Sequence, residues 1–348
     1  MSYLSRRSFL KLGSAALAAS AMPGTAAALA SGRGDGLPPE DAPRTVVGYG
    51  RVLNWGTAIR AAPTKDSPIN DVRTTEDILP IYGSATDPDD SQYNRIWYVV
   101  PGGYVYSGVV QPVANHVNPI PRLGSLTDFP LLAEVTVPYT YARLGPEDRG
   151  NWAYTLYYQT THWVHDLIEG RDGLLWYKIL DDEKLYYYSV RAAHMRLIPR
   201  NELTPLSPGV AGKRVEIDLK QQLVTCFEGD RAVMTTRIAS GDGGFATPKG
   251  EWEIRRKRPS RHMSSDGEDA AAGPDYDLIG VPWVGYFLAG ISFHGTYWHN
   301  DYGDPRSHGC INMTPPASRW LFRWSDPVLG FGEIQSPRPS DGTPVIVF

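Results

Sequence analysis

Residues 213–237 read KRVEIDLKQQLVTCFEGDRAVMTTR. Val215, Ile217 and Leu219 alternate with charged residues, so they fall on one face of a strand. Lys220 to Gln222 form a turn, Leu223 opens a second run, and Gly229-Asp230 turns the chain again. This is a β-meander of three strands, and it sets the expectation of a mainly β fold. Downstream, TPKGEWEIRRK (247–257) continues with another strand, and VPWVGYFLAGISFHG (281–295) is an apolar run carrying His294 near its end. TPVIVF (343–348) closes the chain as a strand. One short helix is expected in TPPASRWLFRWS (314–325). There Thr314 is an N-cap, Pro315 sits in the first turn, and Trp320, Leu321 and Trp324 are spaced for one face.

The composition agrees with a β protein. Among 348 residues there are 20 Tyr, 10 Trp, 35 Gly and 29 Pro, which suit aromatic strands and many turns. The formal net charge is -4, and there is no long basic stretch, so a nucleic-acid partner is not expected.

Residues 1–30 read as a targeting segment. Arg6, Arg7 and Lys11 precede an Ala-rich apolar stretch that ends in small residues, the layout of a secretory signal. The string SRRSFLK resembles a twin-arginine signal, an address for export in a folded state. Export to the periplasm or the extracytoplasmic cell wall is therefore expected. The segment offers a transient membrane contact, and an uncleaved anchor is the alternative. Residues 31–44 (SGRGDGLPPEDAPR) read as a linker.

From residue 45 onward short β-prone runs alternate with turn signals. RIWYVVPGGYVYSGVVQPV (95–113) carries a hairpin signature at Gly102-Gly103. A similar block returns at LLWYKILDDEKLYYYSVRAAHMRLIP (174–199), with Trp176-Tyr177 standing 79 residues after Trp97-Tyr98. The two blocks read as a divergent duplication of a small barrel, SH3-like in pattern, over residues 45–120 and 121–205. One larger β domain across residues 45–200 is the alternative. The third unit spans residues 212–348.

The chemistry concentrates in HGTYWHNDYGDPRSHGCIN (294–312). A thiol becomes a nucleophile when a neighbouring histidine takes its proton. His294 ends a strand, and a loop with Gly295, Gly303, Asp304 and Pro305 can fold back to bring Cys310 beside it. Consecutive backbone N–H groups around Gly309 can then hold a developing oxyanion, and Asn312 adds an amide. Two other readings stand beside this one. His294, His299, His308 and Cys310 are all possible zinc ligands, although the spacing matches no common metal motif. Cys226 and Cys310, the only two cysteines, could pair as a disulfide. Cys226 by itself reads as a core thiol. His262 and His299 read as solvated or satisfied histidines.

HGT followed by SHGCIN resembles the signature of the L,D-transpeptidase (YkuD-like) catalytic domain. IASGDGGFATPKGEWEI (238–254) and VEIDLKQQLVTCFEGDRAV (215–233) are similar to that family's upstream segments. Twelve residues separate His294 from Ser307, fewer than is usual there. The resemblance covers residues 212–348 and implies a β-sandwich-like fold, no metal or cofactor, and peptidoglycan stem peptides as substrate. It implies Cys310 as nucleophile, His294 as general acid/base and Gly295 orienting the imidazole through its carbonyl. His308, Gly309 and Cys310 would supply oxyanion N–H groups, with Ser307 and Asn312 shaping the pocket. Trp283, Tyr286, Tyr297 and Trp298 are expected to line a substrate groove, with core packing as the alternative for the first two. RRKRPSRHMSSDGEDAAAGPDYDLIGVPW (255–283) reads as a mobile flap. A monomer that forms L,D cross-links is expected. With water as acceptor the same site gives an L,D-carboxypeptidase, and with a protein amine an anchoring enzyme. A catalytically silent wall-binding scaffold and a zinc amidase are the readings from other classes.

Overall fold

The computed structural model describes residues 45–267, 275–337 and 341–348. The expected signal (1–30) and linker (31–44) lie outside the described residues. The described residues divide into two compact units, 45–117 and 118–348.

In the first unit, residues 45–117 form a three-stranded and a five-stranded sheet. The hairpin expected at Gly102-Gly103 is there. Ile96–Val100 pairs with Gly103–Tyr106 in register Val100↔Gly103, and Gly102 takes a φ of 84° in the tight connection. The unit has its own core of Val52, Ile59, Leu79, Ile81, Val100, Val105 and Val110. No closed barrel is formed among the described residues.

The second unit opens with a seven-stranded antiparallel sheet running from Trp152–Tyr157 at one edge to Met195–Leu197 at the other. Trp97 and Trp176 do occupy matching places, each buried at the second position of its strand. The sheets around them differ, however, since the second block is one continuous sheet.

Residues 212–348 build two sheets around a shared core. Lys213–Asp218, Leu223–Glu228 and Arg231–Arg237 form the expected meander, extended by Pro344–Val347 and Gly250–Glu253. The other sheet runs Arg256–Ser264, Asp277–Leu288, Ile291–Gly295, Ile311–Met313. The apolar run 281–295 is thus two strands, split by a turn at Ala289-Gly290 that period-2 hydrophobicity does not reveal. Val215, Ile217, Val224, Cys226, Val345 and Val347 share one buried cluster with Trp283, Phe287, Phe293, Ile311 and Met313. The helix Pro315–Trp324 adds Leu321, Phe322 and Trp324 to it. Thr314 caps this helix through Ala317 N–H. At the other end, two buried lysines satisfy the last carbonyls: Lys257 donates to Ser325 O at 2.7 Å and to Phe322 O, and Lys213 donates to Trp324 O at 2.8 Å.

Of the expected flap, residues 268–274 lie outside the described residues, and most of the rest is strand. Arg256–Ser264 and Asp277–Leu288 form a long hairpin, and Lys257, Arg261 and His262 are each only 1% exposed. Arg261 and Arg258 both bind Asp182, at 3.0 Å each, and His262 Nδ1 meets Asp181 at 2.9 Å. Thr161 Oγ1 donates to Pro259 O at 2.6 Å, tying the seven-stranded sheet to this hairpin. The stretch reads as a mobile flap because the partners of its charges lie about eighty positions away, beyond any local pattern.

Candidate active site

Ile291–Gly295 and Ile311–Met313 lie parallel, in register Phe293↔Ile311, His294↔Asn312 and Gly295↔Met313. Phe293, Ile311 and Met313 point into the core. Side chains alternate along a strand, so Ser292, His294, Cys310 and Asn312 share the opposite face. Cys310, one position before its strand, stands beside Ser292, whose Oγ is 3.7 Å from Sγ. The thiol also donates to Gly290 O at 3.8 Å. His294 stands two positions further along the neighbouring strand.

His294 is 2% exposed, and its Nδ1 donates to Gly295 O at 3.2 Å. Burial pushes the imidazole down to about 4, with the carbonyl hydrogen bond pulling the other way. The ring is therefore neutral at pH 7, with its proton on Nδ1 and a lone pair on Nε2. Gly295 has a second duty. A Cβ there would stand 2.8 Å from Pro282, 2.9 Å from Pro315 and 2.9 Å from Ser318, so only glycine lets the helix start pack against this strand. Trp298 sits with its ring 5.6 Å from that of His294 and is partly exposed.

The loop before Cys310 is fixed by backbone. Gly303 N, Arg306 N and Ser307 N donate to the carbonyls of Ile238, Ser240 and Ser240. Ala239 and Asn312 exchange both backbone hydrogen bonds, at 2.9 and 3.0 Å. Gly309 takes a φ of 114°, and Thr247 Oγ1 donates to its carbonyl at 2.8 Å. Gly241 leaves the room for this, since a Cβ there would lie 2.9 Å from Gly309 Cα.

Several expected roles change in this setting. Ser307 Oγ accepts from Gly309 N at 3.1 Å and donates to Cys310 O, so it knots the loop, and the Gly309 N–H is committed to it. His308 is held between Phe245, 4.8 Å away, and Tyr276, 5.9 Å away. Trp283, 1% exposed, packs edge-on against Phe322 in the core. Tyr286 and Tyr297, at 3% and 4%, belong to a buried cluster with Val281 and Val284. Arg256 covers the Tyr286 ring, and Tyr297 stacks on Tyr157 while donating to Ile279 O. These three aromatics are packing residues: Trp283 faces the helix, Tyr286 lies under Arg256, and Tyr297 meets the seven-stranded sheet. Trp298 alone of the four stays partly open beside His294. Both cysteines are free, and Cys226 lies in the core with its thiol pushed up by burial, which removes the disulfide reading. Among the described residues no three His, Cys, Asp or Glu side chains are grouped to hold a metal ion.

Two residues, Ser292 and Thr247, escaped the sequence. Ser292 could have been found, because period-2 spacing from His294 puts it on the same face. Thr247 lies sixty-two positions from Gly309, with no local signal. His299 is satisfied rather than solvated: its Nε2 meets the Asn312 side-chain amide at 2.8 Å, and burial pushes it down to about 3.

A thiol and a neutral imidazole on one polar strand face, with a looped glycine segment beside them, define a cysteine–histidine site on a two-sheet β domain. Residues 212–347 match the family model YkuD, the L,D-transpeptidase catalytic domain. YciB of Bacillus subtilis (strain 168), a provisionally named L,D-transpeptidase, is 28% identical over 33% of this chain and 63% of its own length. The crystal structure of an Enterococcus faecium L,D-transpeptidase mutant is 23% identical, covers 40% of this chain and 50% of its own, and has a TM-score of 0.31. The L,D-transpeptidase from Stackebrandtia nassauensis is 24% identical, over 43% of this chain and 60% of its own, with a TM-score of 0.30. The chain thus spans between half and two thirds of these relatives.

Proposed function

We propose that the protein is an exported peptidoglycan L,D-transpeptidase working through a Cys310 thioester. Nε2 of His294 takes the thiol proton, and Sγ attacks the carbonyl after the third residue of a donor stem peptide. The terminal D-residue leaves with the proton returned from His294, and an amine of a second stem resolves the acyl-enzyme. The Gly295 carbonyl holds the imidazole in the tautomer this needs. Ser292 supports the thiolate with its hydroxyl, while Trp298 forms a groove wall. The observation that carries this reading is the parallel register placing Cys310 and His294 on one face, with Nδ1 already engaged and Nε2 left as base.

The two N-terminal blocks, SH3-like in pattern, would bind wall polymer, and residues 1–30 would direct export by the twin-arginine route. No helix among the described residues is long and apolar enough to cross a membrane.

The test is mass spectrometry on two reactions. Ertapenem, which acylates the E. faecium catalytic domain, should add its mass to Cys310 and leave Cys310→Ala unmodified. Muropeptides incubated with the protein should yield L,D-linked dimers. Trimmed stems alone would make it a carboxypeptidase, and binding to sacculi without adduct or turnover would make it a scaffold.

A further inference from the structure

The amide of Asn312 poses a bonding problem. Asn312 is 2% exposed, and its Oδ1 has no hydrogen-bond partner among the described residues while its Nδ2 faces His299 Nε2. Nδ1 of the same imidazole accepts from Asp301 N–H at 3.3 Å. With Nδ2 toward His299, the ring would have to accept at both nitrogens, but a neutral imidazole carries a proton on one of them. Turning the amide by half a revolution removes the conflict. Nε2–H then donates to Oδ1, Nδ1 still accepts from Asp301, and the NH2 group occupies the place of the unpartnered oxygen. Two buried donors now lack an acceptor, on the strand face shared with Cys310 and directly across from His294.

We propose that His299 is a positioning residue that fixes the Asn312 amide with its NH2 toward Cys310, as donor to the oxygen of the carbonyl under attack. This rests on the reading of Cys310 as the acyl-accepting nucleophile. As the Sγ–C bond forms, the carbonyl π electrons move to oxygen, and the Asn312 N–H meets that charge. When the C–N bond then breaks, the electrons return and the leaving amine takes its proton from His294. The arrangement supplies a donor that the loop itself withholds, since Gly309 N–H is bound to Ser307. The imidazole suits the task because it is walled in: Trp298 and Tyr302 rings flank it at 6.4 and 5.4 Å. Asp301 is itself paired with Arg306.

Acylation builds an oxyanion and alkylation by iodoacetamide does not, so the two reactions of Cys310 separate this role from a structural one. His299→Leu should slow ertapenem acylation by about 10²-fold, the loss typical of one oxyanion donor, and leave the iodoacetamide rate unchanged. Asn312→Asp, which keeps the acceptor toward His299 and loses the donor, should match it. His299→Gln, whose amide N–H still reaches Oδ1, should stay within about tenfold of the unaltered protein. Adding His299→Leu to Asn312→Ala should cost nothing further. Unchanged acylation in His299→Leu, or an equal fall in both reactions, overturns the proposal. If His299→Leu does not fold, failure of His299→Gln and Asn312→Asp to separate the two rates does the same. An unaltered protein that alkylates at Cys310 but takes up no ertapenem overturns instead the function on which the proposal rests.

Discussion

At the scale of single residues, the site depends on an imidazole kept neutral by burial. His294 is pushed down to about 4. The acid limb of kcat/KM should therefore fall near pH 4, well below the usual histidine value of 6.5. A pH–rate profile of ertapenem acylation checks this, and a limb near 6.5 would mean the ring is solvated. The same physics acts on stability. His162, His194, His294 and His299 are pushed to about 3, 4, 4 and 3, in each case first by desolvation. Each binds a proton readily once unfolded, so between pH 6.5 and 4 the unfolded state binds more protons. Stability should be full above 6.5 and fall on acidification, by up to about 1.4 kcal/mol per pH unit for each imidazole. Urea melts at pH 7 and pH 5 should show the lower midpoint at pH 5. His262 works in the opposite sense. Burial opposes its charge, but Asp181 and Asp277 outweigh that and raise it, so its contribution is present below the unfolded value and lost as pH rises through the folded one.

At the scale of elements, glycines and caps decide which strands can meet. Gly280 has a φ of 71°, and a Cβ there would lie 2.2 Å from the His162 ring. Gly280→Ala should cost about 3 kcal/mol through strain and overpacking together. Its measure is the urea midpoint at an unchanged m-value. Thr314→Ala should cost about 1 kcal/mol by removing the helix cap, with acylation of Cys310 retained. Much at this scale was legible. The meander, the Gly102 hairpin, the closing strand and the capped helix all follow from local alternation and turn chemistry. The split at Ala289-Gly290 was not, because an apolar run reads the same whether one strand or two. Nor was the burial of Trp283, since an aromatic beside a motif carries no mark of the face it turns to.

Across the whole 118–348 unit, the seven-stranded sheet and the two-sheet domain are joined by buried ion pairs. Asp182 serves both Arg258 and Arg261, and Arg261 is 1% exposed. Asp182→Ala removes one of the carboxylates paired with that buried guanidinium, leaving Glu183 among the described residues, and should cost about 3 kcal/mol. A fragment of residues 118–348 should unfold in one transition that Asp182→Ala lowers as a whole. Separate transitions for the two sheets would refute that coupling. By itself the sequence determined the β class, the meander and the histidine–cysteine pair, since alternation, turns and a short motif are local and survive without context. Only the tertiary structure decided that Ser307 knots the loop, that three aromatics are core, that the described flanks of the supposed flap are paired strands and that His299 addresses Asn312. Each of those depends on a partner brought from a distant position or on which face of a strand is covered, and neither is written in the neighbouring residues.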